Sequence, residues 1–185
     1  MHAALGCQGA GTVSECGYGL GMTAASDLVI DRIRDGDFAE ILRDFSRFWG
    51  ERDSLRHLHH PMFVLEFGDT AFVARRRDDA EGAGQRGRDG IVGYLLGFVA
   101  PTGDGYIHFV AVRDDARGSG VGRQLHAAFE QAAVARGAVA LKALTSPENE
   151  GSMAFHRRIG FTDITRVEDY GGWGRPRIVM RKRLR

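Results

Sequence analysis

The chain has 185 residues, the size of one domain, with 43% apolar and 26% charged residues; this supports a sizeable core and excludes wholesale disorder. Lys and Arg number 25 against 24 Asp and Glu, a formal charge of +1, which leaves no basic excess for nucleic acid or an acidic membrane surface. No apolar run approaches the ~20 residues of a membrane span, and the start lacks the basic and apolar regions of a signal peptide, so the expected compartment is the cytoplasm.

Residues 1–26 hold six glycines and one acidic residue, Glu15. Such a segment buries too little to offset its ordering entropy. It reads as a flexible tail ahead of one domain over 27–185, with Met22 as an alternative start of translation and an arm packed on a partner subunit as the rival reading. Cys7 and Cys16 both lie in this tail, and no Cys/His spacing suggests zinc. Lys142 and Lys182 are the only lysines; the Arg-, Ala- and Gly-rich usage points to a GC-rich bacterial coding sequence.

Patterned sequence begins at Leu28-Val29-Ile30, read as a strand. Asp35 is placed to cap a helix with Phe38, Ile41, Leu42, Phe45 and Trp49 on one face. Residues 53–68, with Pro61, are ambiguous. Thr70–Arg75 reads as a strand and Asp78–Gly90 as a polar, Gly-rich loop. Ile91–Val99 and Tyr106–Val112 form a hairpin through Pro101–Gly105. Gly120–Arg136 is helical, with Val121, Leu125, Ala128, Phe129 and Ala132 inward. Ala138–Leu144 is a strand, Asn149–Ile159 a short helix and Ile178–Leu184 a last strand. This order predicts an α/β (α+β) fold with a mixed sheet and helices on its faces.

The most informative stretch runs from Val110 to Arg123. A strand ends, a short turn follows, and Gly118, Gly120 and Gly122 open a helix. The glycines permit close backbone approach, and a helix start offers unpaired N–H groups and a positive dipole end, an anion cradle suited to a pyrophosphate. Arg117 and Arg123 add charge at its edges. A Walker loop needs Gly-Lys-Ser/Thr, whereas Gly122 is followed by Arg-Gln; the Rossmann fingerprint needs a different last glycine spacing.

Arg117-x-x-Gly120-x-Gly122 resembles the R/Q-x-x-G-x-G/A motif of the GNAT acetyltransferase superfamily. Asn149-Glu-Gly-Ser-Met-Ala-Phe-His-Arg-Arg-Ile-Gly-Phe161 resembles that family's N-x-x-[AS]-x-x-[FL]-Y-x-x-x-G-F segment, with His156 where many relatives carry Tyr. Together the motifs and their linking elements span about residues 91–161. The resemblance implies a mostly antiparallel sheet of about six to seven strands, flanked by about four helices and splayed between the fourth and fifth strands. It implies acetyl-CoA as co-substrate and no metal. The pyrophosphate would lie on Arg117, Gly118, Ser119, Gly120, Val121, Gly122 and Arg123. The pantetheine arm would pair with Val110, Ala111 and Val112, and an N–H near Ala111 or Val112 would polarise the thioester carbonyl. Asn149 would contact the pantetheine or cap its helix, with Ser152 and Phe155 beside it. A homodimer fits the family.

Three side chains are candidates for proton chemistry. Strand parity puts His108 on one face with Tyr106, Val110 and Val112; it is either the base or a ring packed on the sheet and bonded to backbone. His156 is either an acid toward the CoA sulfur or without a catalytic role. Tyr170, before the last strand, is the alternative phenol or a substrate-side loop residue. His57-Leu-His-His60 lacks the spacing of a metal site; the resemblance implies that this region lies near the acceptor pocket, with Phe63 and Phe67 as apolar walls. Glu66, Asp104, Glu168 and Asp169 could attract a cationic amine. The expected activity is direct acetyl transfer to a primary amine of a small molecule or peptide; the competing reading is an acyl-CoA sensor without turnover.

Overall fold

Seven strands form one sheet in the order β1-β2-β3-β4-β5-β7-β6 in a computed structural model that describes residues 28–76 and 90–184. The expected tail over 1–26, its alternative start at Met22, and the loop from Asp78 up to Asp89 lie outside the described residues. In chain order the elements are β1 (Leu28–Arg32), α1 (Asp35–Arg43), α2 (Phe45–Trp49), a 3-10 turn (Asp53–Leu58), α3 (Met62–Leu65), β2 (Phe72–Arg76), β3 (Ile91–Val99), β4 (Asp104–Val112), a second 3-10 turn (Asp114–Ala116), α4 (Val121–Ala135), β5 (Ala140–Thr145), α5 (Glu150–Arg158), β6 (Asp163–Val167) and β7 (Arg177–Arg183). Every strand pair is antiparallel except β4–β5, which is parallel.

Each face of the sheet carries its own core. On one, Val121, Leu125, Phe129 and Ala133 of α4 pack on Phe72, Ala74, Leu95, Ile107 and Leu141, joined by Phe161 after α5. On the other, Ile41, Phe48 and Phe63 from the first helices cover Val73, Tyr94, Leu96 and Ala111. Glycines let α4 lie flat on the sheet: a Cβ at Gly97 would stand 2.6 Å from the Phe129 ring and 2.8 Å from the Tyr106 carbonyl oxygen.

The structure moves several sequence boundaries. The N-cap of α1 is Arg34, not Asp35; Asp37 closes the turn by accepting the Arg34 N–H at 2.9 Å. A break at Asp44 divides the expected long helix into α1 and α2. The ambiguous 53–68 stretch is the 3-10 turn and α3. β6 was absent from the sequence reading and pairs along β7 as the edge strand.

Candidate active site

β4 and β5 pair only from Asp104–Ala140 to Ile107–Ala143. Past that point β5 continues with β7 alone, up to Thr145–Ile178, and the edge of β4 beyond Ile107 has no strand beside it among the described residues. The sheet therefore splits from within, and unsatisfied main-chain groups in such a cleft call for a partner.

At the same end of β4 stands the glycine turn. Arg113, 2% exposed, fixes its base by donating from Nε and Nη2 to the two oxygens of Asp115 at 3.0 and 2.5 Å; this cation holds the Asp115 carboxyl below its usual range. Arg117 pairs with Asp114 at 2.7 Å, and Ser119 Oγ donates to the Ala116 carbonyl at 2.7 Å. Gly118 and Gly120 adopt φ of +80° and +89°, values costly for residues with a Cβ. The first helical bond runs from Gln124 N–H to Gly120 O, so the preceding N–H groups lie outside the ladder, at the positive end of the 15-residue α4. These donors fit a pyrophosphate. The second motif touches the first: a Cβ at Gly122 would lie 3.3 Å from the Phe155 ring and 3.8 Å from Val112. Asn149 is the N-cap of α5, its Oδ1 accepting the Ser152 N–H at 3.1 Å.

His108 is the extra residue of a bulge. β3–β4 register passes from Leu96–Phe109 to Gly97–Ile107, skipping it. The consequence corrects the parity expected from sequence. Val110 and Val112 turn to the α4 side, whereas Phe109 and Ala111 join the opposite core. His108 sits on that opposite face: its ring stacks on Phe63 at 4.9 Å and meets Phe109 edge-on at 4.5 Å, with Tyr106 at 6.3 Å. Nε2 lies 3.0 Å from the Leu58 carbonyl, which can only accept, so Nε2 carries the proton and Nδ1 is left with a lone pair. Burial lowers the ring below the ordinary histidine value, keeping it neutral near pH 7.

His156 faces the other way. Its ring is 3% exposed and lies against His126, Phe155 and Phe161. Nδ1 is 2.8 Å from the Ser152 carbonyl and so donates, and Nε2 has no partner among the described residues. Burial lowers this ring too; a neutral imidazole with its one proton committed to a carbonyl is a poor acid at pH 7. The structure does not bring His108 and His156 together. Tyr170 is on the β6–β7 connection, 42% exposed, with Lys142 Nζ 5.6 Å from its ring centroid.

The His57–His60 cluster does not converge. His59 is buried in a chain of bonds: Trp49 Nε1–H donates to Tyr94 Oη at 2.6 Å, Tyr94 O–H donates to His59 Nε2 at 2.8 Å, and His59 Nδ1–H donates to the Leu55 carbonyl at 3.0 Å. His60 Nδ1 accepts the Met62 N–H at 3.2 Å. Among the described residues no three metal-binding side chains come together, and no helix is long and apolar enough to cross a membrane. Three of the four acidic candidates are engaged within the protein. Asp104 pairs with Arg181 at 2.6 Å, Glu168 with Arg166 at 2.5 Å, and Asp169 accepts the Gly174 N–H at 2.5 Å. Lys142 was overlooked, although a lone lysine in the apolar strand Ala140–Thr145 was a signal.

A parallel strand pair that splits beside a glycine turn is the frame of the site, and comparison with known proteins gives the family. The model of the Acetyltransferase (GNAT) family matches residues 38–161, and the chain belongs to that family. Solved structures share the fold. The NatC complex bound to Gag peptide and CoA contains a chain 17% identical, with a TM-score of 0.66, over 86% of this chain and 99% of that one. Ard1 from Thermoplasma volcanium is 16% identical, with a TM-score of 0.65 and the same coverage. YncA from Salmonella typhimurium, solved with acetyl-CoA, is 16% identical, with a TM-score of 0.58, over 86% of this chain and 95% of that one. No curated protein matches the sequence.

Proposed function

We propose that this chain transfers the acetyl group of acetyl-CoA directly to a primary amine of a small molecule or peptide. The observation that carries the reading is the edge of β4 beyond Ile107, left without a strand among the described residues, beside the free N–H groups of the glycine turn. Arg117–Arg123 hold the pyrophosphate, and Val110, Ala111 and Val112 pair with the pantetheine arm in place of a strand, with Asn149, Ser152 and Phe155 closing the approach. Bound acetyl-CoA supplies an activated thioester carbonyl. An N–H near Ala111 or Val112 meets the negative charge that builds on the carbonyl oxygen. His108 accepts the amine's proton at Nδ1. As nitrogen bonds to the carbonyl carbon, the carbon–sulfur bond breaks and the departing thiolate takes a proton. Tyr170, on the acceptor face, is the candidate donor, and His156 serves packing.

Calorimetry tests the site. Acetyl-CoA binds the wild-type chain, and Gly120→Glu abolishes binding, because the carboxylate repels the pyrophosphate while circular dichroism stays native. Equal affinity in both proteins refutes the site. Thiol release across an amine panel tests turnover. Binding without release from any amine would favour the sensor reading, toward which the poor acidity of His156 points.

A further inference from the structure

We propose that the acceptor is a primary amine that carries a carboxylate, and that Lys142 and Arg177 hold this carboxylate at the base of the β4–β5 split. The inference rests on the transferase reading and names its substrate class.

The placement follows from register. Tyr106 stands two residues before His108 on β4, with the two rings 6.3 Å apart. Tyr106 is the parallel partner of Lys142 on β5, so both side chains share the acceptor face, one step below the point where the strands part. Lys142 Nζ lies 5.6 Å from the Tyr170 ring centroid. Arg177 opens β7 and closes the group: its guanidinium carbon would lie 3.9 Å from a Cβ at Gly171, the residue after Tyr170, and its charge acts on the Tyr106 hydroxyl.

Neither cation meets a carboxylate among the described residues. The one hydrogen bond of Arg177 goes to the Pro176 carbonyl at 2.9 Å, and Lys142 has the ring alone. Three of the carboxylates near this end are committed elsewhere, Asp104 to Arg181, Glu168 to Arg166 and Asp169 to Gly174. Two half-buried positive charges therefore lie beside Tyr106, whose ring meets Phe98 at 5.2 Å and through it the apolar rings of Phe67 and Phe63. Beside such an apolar wall an ion pair with a ligand carboxylate is strengthened, and an amine with no anion is repelled. The Tyr106 hydroxyl, pushed up to about 12 mainly by burial, stays protonated and can donate to the same carboxylate. The carboxylate at Lys142 leaves the amine directed up β4 toward His108.

The source of the carboxylate is a free amino acid or an acidic side chain of a peptide, and the assay separates them. Thiol release from acetyl-CoA is followed with phenylalanine against phenylalaninamide, and with tetrapeptides bearing Asp or Asn at the second position. The expected result is a KM lower for one acid than for its amide. Lys142→Glu and Arg177→Glu each cut that acid-to-amide preference by about tenfold or more, while the KM for acetyl-CoA holds. Comparing the ratio between wild type and variant cancels the different basicity of the two amines. Amides used as well as acids, or a ratio unmoved by both reversals, overturns the inference. Absence of thiol release from every amine refutes the transferase reading instead. Calorimetry with the four acceptors in the presence of CoA then decides: acid binding lost in Lys142→Glu supports the inference, and no acid binding to wild type overturns it.

Discussion

The imidazole of His108 is held between the carbonyl of Leu58, 3.0 Å from Nε2, and the ring of Phe63, 4.9 Å away and nearly parallel at 18°. That arrangement assigns one nitrogen to structure and frees the other for chemistry. His108→Ala should lower the transfer rate by roughly 10²-fold. His108→Gln is the sharper variant, since its amide can still donate to Leu58 but accepts a proton poorly. A Gln variant as slow as Ala identifies a base; one near wild type identifies a strut. Because burial sets the ring below 6.5, its limb in the rate profile should fall on the acid side of that value. A rising limb at higher pH belongs to the amine and should move when the acceptor's own pKa is changed.

Acid should destabilise this fold well before carboxylates protonate. His59 is lowered to about 4 and His126 to about 3, both chiefly by burial. Each is neutral in the fold and titrates near 6.5 when unfolded, so the unfolded chain binds more protons between those values. Stability is complete above about pH 6.5 and falls as pH drops toward the folded values, by up to ~1.4 kcal/mol per unit per histidine. Urea unfolding at about pH 7.5 and 5 measures the slope. His126→Leu should flatten it, and a slope unchanged in that variant would remove His126 from this account.

Tyr94→Phe should be costly for its size. It strips the acceptor from the Trp49 N–H and the donor from His59 Nε2 together, leaving both unpaired in an aromatic core. Unsatisfied buried groups cost about 1–3 kcal/mol each. Thermal unfolding should show a fall of several degrees, against almost none for a surface Tyr170→Phe control.

Gly97→Ala tests the seat of α4. The added methyl would overlap the Phe129 ring and the Tyr106 carbonyl, and overpacking of this kind costs about 1–3 kcal/mol. Trimming the partner in Gly97→Ala/Phe129→Leu should recover part of the loss. No recovery in the double variant would place the strain in the backbone instead.

The sequence made some elements plain and hid others for identifiable reasons. Ile91–Val99 is nearly all buried and α4 repeats Val121, Leu125 and Phe129 at helical spacing, so both announced themselves. β6, Asp-Ile-Thr-Arg-Val, has no buried residue; an edge strand held by main-chain bonds leaves little trace in side-chain pattern. The turn over Asp53–Leu58 lacks a capping side chain, which is why that stretch stayed ambiguous. The glycine motif marked its turn because positive φ selects for glycine. Which residues share a face of β4 was misread because a bulge adds a residue without changing composition. The pairing of His156 with His126 depends on how two distant helices meet, which no local pattern records.

The bulge also divides β4 into two halves with separate obligations. Below it, Ile107 answers to the α4 core; above it, Val110 and Val112 do so because the ladder leaves one residue out. Deleting His108 would return the ladder to regular alternation and keep Val110 and Val112 under α4, while removing the one side chain the bulge lays against Phe63. The extra residue therefore serves the placement of the imidazole, and the valines would pack as well without it. A chain shortened by that one residue should keep its melting temperature more nearly than its transfer rate.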